Sequence, residues 1–470
     1  MTQVNPKVGA EQRFSVRGHN VTVVGAARSG VAAAMLLASR GAHVTLTDLR
    51  PTLDAAVRTE LDAAGVVLEL GEHRLATFTG ADLIVLSPGV PLQQSHVVRA
   101  RQAGVPVIGE IELASRWLNG RIVAITGTKG KSTTTTLAGR MFDAGGLKAT
   151  VGGNLGVPLS SQVATSTPET FHIVEVSSFQ LESTVSFHPW IAVLLNFSPD
   201  HLDRHGSVEE YADAKMKIFF NQTENDWAVI NADDPQTLKM ARDIRARRFD
   251  FFPDRTVKEG IGIKKGHITE SRQGADVPLI PLSSIRLIGK HLVADVMAAA
   301  AVARIAGVPA EAMVRAVESF TGLEHALEPV TIIGGVRFVN DSKATNIDAA
   351  KHAIESFTKG LVVILGGVFK GGDWNELAAP LGTRHAKVVA IGEAQPLIQH
   401  ALGDVVPVYL ASDLSAAVRQ AFTLASPGGT VLLAPACASF DMFRDYAERG
   451  QAFKREVKKL AEQSRGMLPM

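Results

Sequence analysis

Short apolar runs alternate along this chain with stretches of helical periodicity. The first run, "NVTVV", is followed by the Gly-containing turn "GAARSG", a helical stretch and a second run that ends at Asp48. Later runs of the same kind are "FHIVEV", "WIAVLLNF", "LVVILGG", "KVVAIG" and "TVLLAPA". Such alternation predicts an α/β protein with parallel sheets covered by helices.

Length and pattern changes predict the domain organisation. A chain of 470 residues is long enough for about three domains, because single cores rarely grow beyond a few hundred residues. Turn residues and changes of pattern occur near 119–121 and 320–326. The predicted segments are a polar N-terminal extension and three domains, with the ranges 1–17, 18–119, 120–322 and 323–470.

Composition narrows the classes of function. The net charge of +1 comes from 48 basic and 47 acidic residues, so the sequence predicts no nucleic-acid surface. The longest apolar candidate, "VMAAAAVARIAGV", is shorter than about 18 residues and is interrupted by Arg304, so no membrane insertion is expected. The polar first seventeen residues lack a secretory signal, and the single Cys437 fits a reducing compartment. A cytoplasmic location is therefore expected.

The segment "AITGTKGKSTTTT" at 124–136 follows an apolar run and precedes a helical stretch. Its two glycines, Gly127 and Gly130, let backbone N–H groups surround phosphate oxygens. Lys131 can reach terminal phosphates, and Ser132 or Thr133 can hold magnesium. The standard phosphate-loop pattern would need Gly at position 125, which is Ile125. The shorter spacing still predicts a phosphate-binding loop.

The first Gly turn gives a weaker signal. Gly25 to Gly30 lie between a strand and a helix, and Asp48 ends the next strand, which is typical of a nucleotide site. The middle glycine of the dinucleotide pattern is replaced by Ala27, so a plain tight turn is an equal alternative. A second turn, "LSPGVP" at 86–91, also follows a strand and can face the same crevice.

Two further residues suggest a metal site. Glu175 ends one apolar strand, where its carboxylate is expected to face water or a cation, and His201 closely follows another strand. Each alone is typical of ordinary surface structure. Together with Ser132 beside a phosphate loop, they form a donor set that favours magnesium or manganese over structural zinc.

Lys215 lies on an otherwise apolar helical stripe. The stripe comprises Val208, Tyr211, Ala214 and Ile218. Such a lysine usually extends its amine to solvent. The alternative is a lysine directed into a site, where a modification can give it negative charge near a metal.

These segments resemble the Mur ligases, ATP-dependent amide-forming enzymes of peptidoglycan precursor synthesis, over about residues 18–460. The similarity is carried by "GTKGKSTTT", "VEVSSFQLE", "NFSPDHLDRHGSVEEYADAKMKIF", "FVNDSKATN" and "LAPACASFDMFRDYAERGQAFK". Within the family the motifs resemble most those of members that ligate D-glutamate to UDP-N-acetylmuramoyl-L-alanine through an acyl phosphate. The resemblance implies a Rossmann-like UDP-binding domain, a central P-loop ATPase domain with a mostly parallel sheet, and a C-terminal Rossmann-like domain for the amino acid.

The resemblance also implies roles for individual residues. Four are expected to act in catalysis: Lys131, Lys215, Lys343 and Asp341. ATP would be bound by Gly127, Thr128, Lys129, Gly130, Lys131, Ser132, Thr133, Asp295, Asp341 and Lys343. The UDP substrate would be bound by Arg28, Ser29, Asp48, Leu49, Arg50, Ser87, Gly89, Asn154, Ser177 and His201. D-Glutamate would be bound by Thr345, Lys370, Ser439 and Tyr446. Two magnesium ions, with manganese as an alternative, would be held by Ser132, Glu175, His201 and a carbamylated Lys215.

The chain departs from the family pattern at the nucleotide. Asp295 replaces an ATP-contacting asparagine, Leu292 replaces another asparagine, and Ala326 replaces an arginine that usually reaches ATP phosphate. An aspartate near phosphates would repel them unless a metal or Lys343 compensates.

These departures keep two rivals open, a different Mur-type or folylpolyglutamate-type ligase and a nucleotide-binding homologue with weakened or absent catalysis. A Rossmann dehydrogenase would leave residues 124–215 unexplained. A monomer is expected.

Overall fold

The computed structural model describes residues 14–200, 202–285 and 291–466. Within these ranges the chain forms two compact units, the first comprising 14–285 and 291–319 and the second 320–466. Residues 1–13 of the predicted extension and the predicted ligand His201 lie outside the described residues. None of the helices in the described ranges is long and apolar enough to cross a membrane.

The first unit begins with a five-stranded parallel sheet whose strand order is β3-β2-β1-β4-β5. Its central strands are almost continuously apolar because helices cover both faces. The elements in chain order are β1 (Asn20–Val24), α1 (Arg28–Ser39), β2 (His43–Asp48), α2 (Ala55–Ala63), β3 (Val67–Leu70), α3 (Leu75–Thr79), β4 (Leu83–Leu86), α4 (Ser95–Gln102), β5 (Val107–Gly109) and α5 (Glu110–Ser115).

The same unit continues with a second sheet of nine described strands, in the order β14-β13-β12-β11-β10-β9-β6-β8-β7. Pairing is parallel from β7 to β12 and antiparallel among β12, β13 and β14. The elements are β6 (Arg121–Thr126), α6 (Lys131–Ala144), β7 (Ala149–Gly153), β8 (Phe171–Glu175), α7 (Ser178–Glu182), β9 (Ile191–Leu194), α8 (Leu202–His205), α9 (Val208–Met216), β10 (Trp227–Asn231), α10 (Pro235–Met240), β11 (Arg247–Phe251), β12 (Gly260–Lys264), β13 (His267–Arg272), β14 (Ala275–Pro281), α11 (His291–Ile305) and α12 (Ala310–Glu318).

The second unit contains a six-stranded sheet in the order β15-β16-β20-β17-β18-β19. Only the β15–β16 pair among its described strands is antiparallel. The elements are β15 (Glu328–Ile333), β16 (Val336–Asn340), α13 (Ile347–Glu355), β17 (Leu361–Gly366), α14 (Ala378–Gly382), β18 (Lys387–Ile391), α15 (Gln395–Leu402), β19 (Val408–Leu410), α16 (Leu414–Ala425), β20 (Thr430–Leu433) and α17 (Tyr446–Gly466).

Helix α5 fastens the first sheet to the second. The fully buried carboxylate of Glu112 accepts hydrogen bonds from the backbone N–H groups of Val185, Ser186 and Phe187, at 2.9, 3.0 and 2.9 Å. Arg116, one turn along the same helix, pairs with it at 2.8 Å. A buried carboxylate needs such partners to offset its desolvation, so this contact fixes one geometry between the two sheets.

The predicted α/β fold with three sheet-bearing regions is confirmed, including the mostly parallel central sheet. The predicted domain boundaries stay a prediction. Within the described part of the predicted extension, Val16 is buried in the first core and Phe14 packs on Trp117 at 5.1 Å.

Candidate active site

The predicted phosphate loop joins β6 to α6. Gly130 is the N-cap of α6 and has φ +81°, a left-handed conformation that glycine adopts without steric cost. Lys131, Ser132 and Thr133 form the first turn of the helix, where backbone N–H groups and the helix dipole favour an anion. The local backbone therefore has the form that phosphate binding requires.

Asn196, two residues after the end of β9, holds this loop in place. Its Oδ1 accepts hydrogen bonds from the N–H groups of Thr128 (3.0 Å) and Lys129 (2.9 Å), and its Nδ2 donates to the Lys129 carbonyl at 3.0 Å. The Thr128 hydroxyl also donates to the carbonyl of Ser198 at 3.1 Å. Sequence reasoning missed Asn196, although a polar residue at the carboxyl end of the apolar run "WIAVLL" was an available signal.

Two lysine amines meet on the carbonyl groups of the loop. Lys131 Nζ donates to Gly127 O at 3.0 Å and Thr128 O at 2.9 Å, and Lys215 Nζ donates to Gly127 O at 2.8 Å. Lys215 is 1% exposed and its Nζ lies 4.5 Å from the centre of the Tyr211 ring. The apolar stripe thus carries Lys215 inward to the loop, and the solvent-reaching alternative is wrong.

The environment of Lys215 favours its neutral form. Burial lowers the pKa of its amine well below the usual range, and the nearby charge of Lys131 lowers it further, against an opposing effect of Asp200. A neutral amine is a nucleophile, whereas an ammonium is not.

Glu175 ends β8 and is 3% exposed. Its carboxylate accepts hydrogen bonds from the Ser132 hydroxyl at 2.6 Å and from the Asn154 amide at 2.7 Å. The expectation that it faces water is wrong, because the residue is buried. Neutral donors contact both of its oxygens, and a cation partner stays a prediction. Two of the predicted metal ligands, Ser132 and Glu175, are nevertheless in direct contact.

A hydroxyl and a carboxylate are hard oxygen donors, so the Ser132–Glu175 pair fits magnesium. Among the described residues, no three His, Cys, Asp or Glu side chains come together as a metal site. The predicted partner His201 lies outside that part of the chain.

In the first sheet, Asp48 organises the predicted UDP site. Its carboxylate accepts hydrogen bonds from Ala26 N (2.6 Å), Arg50 N (2.8 Å) and the Arg50 guanidinium (3.1 Å). Burial alone would raise its pKa, but these donors outweigh burial and lower the pKa to about 2. Arg28 and Ser29 begin α1 beside this turn, and Leu49 is exposed.

The second predicted turn meets the first. Ser87 Oγ donates to Gly25 O at 2.8 Å, and Arg204 donates to the carbonyls of Gly89 and Val90 at 3.3 and 3.1 Å. A cavity of about 780 Å³ beside the first turn is lined by Arg28 and Arg50, by Asp54 and Glu60, by apolar residues of α1 and by part of the segment 158–164. Its size suits a nucleotide-sugar ligand.

Ser177, also predicted for this substrate, is the N-cap of α7. Its side chain exchanges hydrogen bonds with Gln180 in a capping box.

In the second unit, three of the four predicted D-glutamate residues follow strands of one sheet. Thr345, Lys370 and Ser439 lie beyond the carboxyl ends of β16, β17 and β20, which are parallel neighbours. Asp341, predicted for ATP and catalysis, also follows β16. Lys370 Nζ donates to the Thr345 hydroxyl at 3.3 Å. Tyr446 begins α17, and its carbonyl accepts a hydrogen bond from Ser342 Oγ at 2.7 Å.

Arg449 ties these loops together and was missed by sequence reasoning. This fully buried guanidinium donates to Ser342 Oγ (3.0 Å), Ser342 O (2.9 Å) and Cys437 O (3.1 Å). Burial lowers its pKa to about 10, so it remains charged at neutral pH. Because Ser342 follows Asp341 and Cys437 lies close to Ser439, Arg449 sets the separation of two predicted site loops.

Asp341 is buried, and burial raises its pKa to about 7 against the opposing effects of the Leu327 N–H and the Lys343 charge. The hydrogen bond from Leu327 N to Asp341 Oδ1 measures 3.1 Å. Asp341 therefore changes its charge near neutral pH, which is typical of functional sites.

Asp295 and Ala326, two residues that differ from the family pattern, contact different parts of the structure. Asp295, in α11, is 4% exposed and packs against Gly130. Ala326 follows the buried His325, whose Nδ1 lies 2.9 Å from the Asn340 amide.

Three family models match the chain in the order of its sheets. They are the Mur ligase MurD-like N-terminal domain at residues 19–109, the Mur ligase middle domain at 125–303 and the Mur ligase glutamate ligase domain at 327–437. The chain belongs to the Mur ligase family. The predicted family is thereby confirmed.

Relatives within the Mur ligases match along nearly the whole chain. The UDP-N-acetylmuramoylalanine--D-glutamate ligase of Acidobacterium capsulatum is 46% identical over 94% of this chain and 96% of its own. The protein of the same name from Geotalea daltonii is 44% identical over 95% and 99%.

Among solved structures, the UDP-N-acetylmuramate-alanine ligase of Thermotoga maritima has a TM-score of 0.57 at 18% identity, covering 94% of this chain and all of that one. This likeness shows the fold.

Proposed function

We propose that the chain uses ATP to join the amine of D-glutamate to the alanyl carboxyl group of UDP-N-acetylmuramoyl-L-alanine. The names of relatives that match nearly the whole chain support the substrates. The main structural support for the chemistry is the buried amine of Lys215, which donates a hydrogen bond to Gly127 O. Gly127 belongs to the phosphate loop that precedes Ser132, and Ser132 is hydrogen-bonded to Glu175. ATP as co-substrate and the single buried Cys437 fit the expected cytoplasmic location.

In the first step, an oxygen of the alanyl carboxylate bonds to the γ-phosphorus of ATP while the bond to ADP breaks. The product is an acyl phosphate. Lys131 would neutralise charge on the phosphate oxygens, and the α6 N-terminus would orient them. Magnesium, as two ions or with manganese as a substitute, would be held by Ser132, Glu175 and the predicted His201 and would supply further charge neutralisation.

In the second step, the D-glutamate nitrogen attacks the acyl carbon, phosphate leaves with its bonding pair, and the amine loses a proton. Lys370 would pair with a D-glutamate carboxylate beside Thr345, and Ser439 and Tyr446 would complete the pocket. The Arg28 and Arg50 side chains at the cavity would meet the diphosphate of the UDP substrate.

Lys215 is proposed to carry a carbamate. Its neutral nitrogen would bond to the carbon of CO2 and release one proton, which converts a buried amine into a carboxylate-like group. That negative charge would be placed at Gly127 O, near Lys131, where it would favour a cation. Burial that lowers the amine pKa supports this modification.

The test is phosphate release from ATP with UDP-N-acetylmuramoyl-L-alanine, comparing D-glutamate, L-glutamate, L-lysine and no amino acid. Release that needs the UDP substrate and D-glutamate together is expected. Release with another amino acid would leave the assignment to the family intact and change the amino acid assigned as substrate. Binding of ATP and UDP substrate without release would favour the weakened homologue that Asp295 and Ala326 suggested.

A further inference from the structure

Asp295 presents a buried carboxyl group with one unpartnered oxygen to the phosphate loop. The residue is 4% exposed, and its Oδ2 has no hydrogen-bond partner in the part of the chain that the structure describes. Such an oxygen is costly to bury unless it is protonated or meets a ligand. No step of the proposed reaction uses the carboxyl group of Asp295.

The carboxyl group is aimed at the start of α6. A Cβ built on Gly130 would overlap Asp295 Oδ1, and both oxygens of Asp295 lie close to that position. Gly130 is the N-cap whose left-handed backbone shapes the loop. The absence of a side chain there lets Asp295 approach the loop that is proposed to hold the nucleotide.

Burial raises the pKa of Asp295 well above its usual value. The nearby hydroxyl of Thr134 on α6 opposes this shift, and it has no other hydrogen-bond partner among the described residues. No charged side chain contributes to this shift. Other titratable groups occur on α11 itself and on the helices and strands packed against it. On the helices they are His291 and Arg304 of α11, Lys131, Arg140 and Asp143 of α6, and Glu311, Arg315 and Glu318 of α12. On the strands they are Arg247, Arg248 and Asp250 of β11 and Lys264 of β12.

We propose that Asp295 binds the nucleotide as a neutral carboxylic acid whose O–H donates a hydrogen bond to an acceptor atom of ATP, so that ionisation of this residue weakens ATP binding. The neutral form removes the repulsion expected between an aspartate and phosphates, without help from a metal or from Lys343. Asp295 is then a positioning residue that makes ATP affinity depend on pH. This inference rests on the proposed function of the loop.

The experiment measures the Kd of ATP with magnesium for the full chain at about pH 6 and about pH 9, on either side of neutrality. The wild type should lose at least about tenfold more affinity over this range than Asp295→Asn, which keeps a neutral donor of the same shape. The Asn variant also controls for titration of ATP itself, of Lys131 and of Lys215. Equal pH dependence in the two proteins would overturn the inference.

A second variant keeps the inference testable if Asp295→Asn does not fold. Thr134→Val removes the group that stabilises the ionised form, so the loss of ATP affinity should move to higher pH. An unmoved or downward-shifted loss would contradict the inference. Because these measurements need no UDP substrate or amino acid, failed ligation with intact, pH-dependent ATP binding would count against the proposed function alone.

Discussion

The turn between β1 and α1 and the loop between β6 and α6 occupy equivalent places, each after a buried parallel strand and before a helix. In the first, a carboxylate, Asp48, accepts from the backbone N–H of Ala26. In the second, the amines of Lys131 and Lys215 donate to backbone carbonyls. The same architecture therefore uses opposite charges to fix its backbone.

The difference changes what each turn offers a ligand. At the first turn, Asp48 is paired with Arg50, and Arg50 and the exposed Arg28 line the same cavity. At the second, the Lys131 amine is a charge that a phosphate can draw away from the carbonyls of Gly127 and Thr128, because an anion binds it more strongly than a neutral oxygen does. A paired carboxylate suits a fixed turn, whereas carbonyl-bound amines suit a site that handles phosphate.

The largest expected effect is at Lys215. Lys215→Ala should lower ligase activity by about a thousandfold, because it removes the group proposed to carry charge beside the loop. Added acetate or another small carboxylic acid should restore part of the rate. Lys217→Ala, which removes a lysine bonded to the Glu182 carbonyl instead, serves as the control in the same phosphate-release assay. Full activity in the Lys215 variant would remove its proposed role.

Gly30 tests how tightly the first turn is packed. A Cβ there would overlap Gly25 O and lie 2.6 Å from Ser87 Oγ. Gly30→Ala should therefore lower the free energy of unfolding by about 3 kcal/mol, measured by urea denaturation. Gly89→Ala meets no atom within 4 Å and should change it by less than about 0.5 kcal/mol. Similar losses in both variants would argue against tight packing at Gly30.

Asp48 and Asp341 should give opposite pH dependences of stability. The pKa of Asp48 is lowered from 3.8 to about 2, so its contribution is present above pH 3.8 and is lost as pH falls toward 2. The pKa of Asp341 is raised from 3.8 to about 7, so stability is lost as pH rises from 3.8 through 7.

Calorimetric Tm values against pH should separate the two carboxyl groups. Asp48→Asn should lower Tm at neutral pH and converge with the wild type in acid. Asp341→Asn should flatten the decline of Tm between pH 3.8 and about pH 7. The reverse pattern would contradict the assigned causes of both pKa shifts.

The smallest expected effect concerns the support of the phosphate loop. Asn196→Ala removes three hydrogen bonds to Thr128 and Lys129 and should raise the KM for ATP by about fivefold to tenfold, equivalent to about 1 kcal/mol. Asn221→Ala, whose amide donates to Val185 and Phe187 carbonyls, should cost similar stability without changing the KM. An unchanged KM in both variants would mean that the loop holds its shape without Asn196.

Local pattern was sufficient for the fold because parallel strands are buried on both faces and read as apolar runs between turn residues. It also located the phosphate loop, since the glycines and Lys131 are adjacent in sequence. The boundaries of the domains and the roles assigned to individual site residues stay predictions.

The sequence by itself determined the family, the α/β architecture and the candidate loops, because these depend on periodicity and on motifs of adjacent residues. Only the tertiary structure decided that Lys215 is buried on Gly127 O, that Asn196 supports the loop and that Arg449 joins Ser342 to Cys437. It also decided that Asp295 faces Gly130 with an unpartnered oxygen. The physical reason is that burial and hydrogen-bond partners, which set charge states, arise from residues distant in sequence.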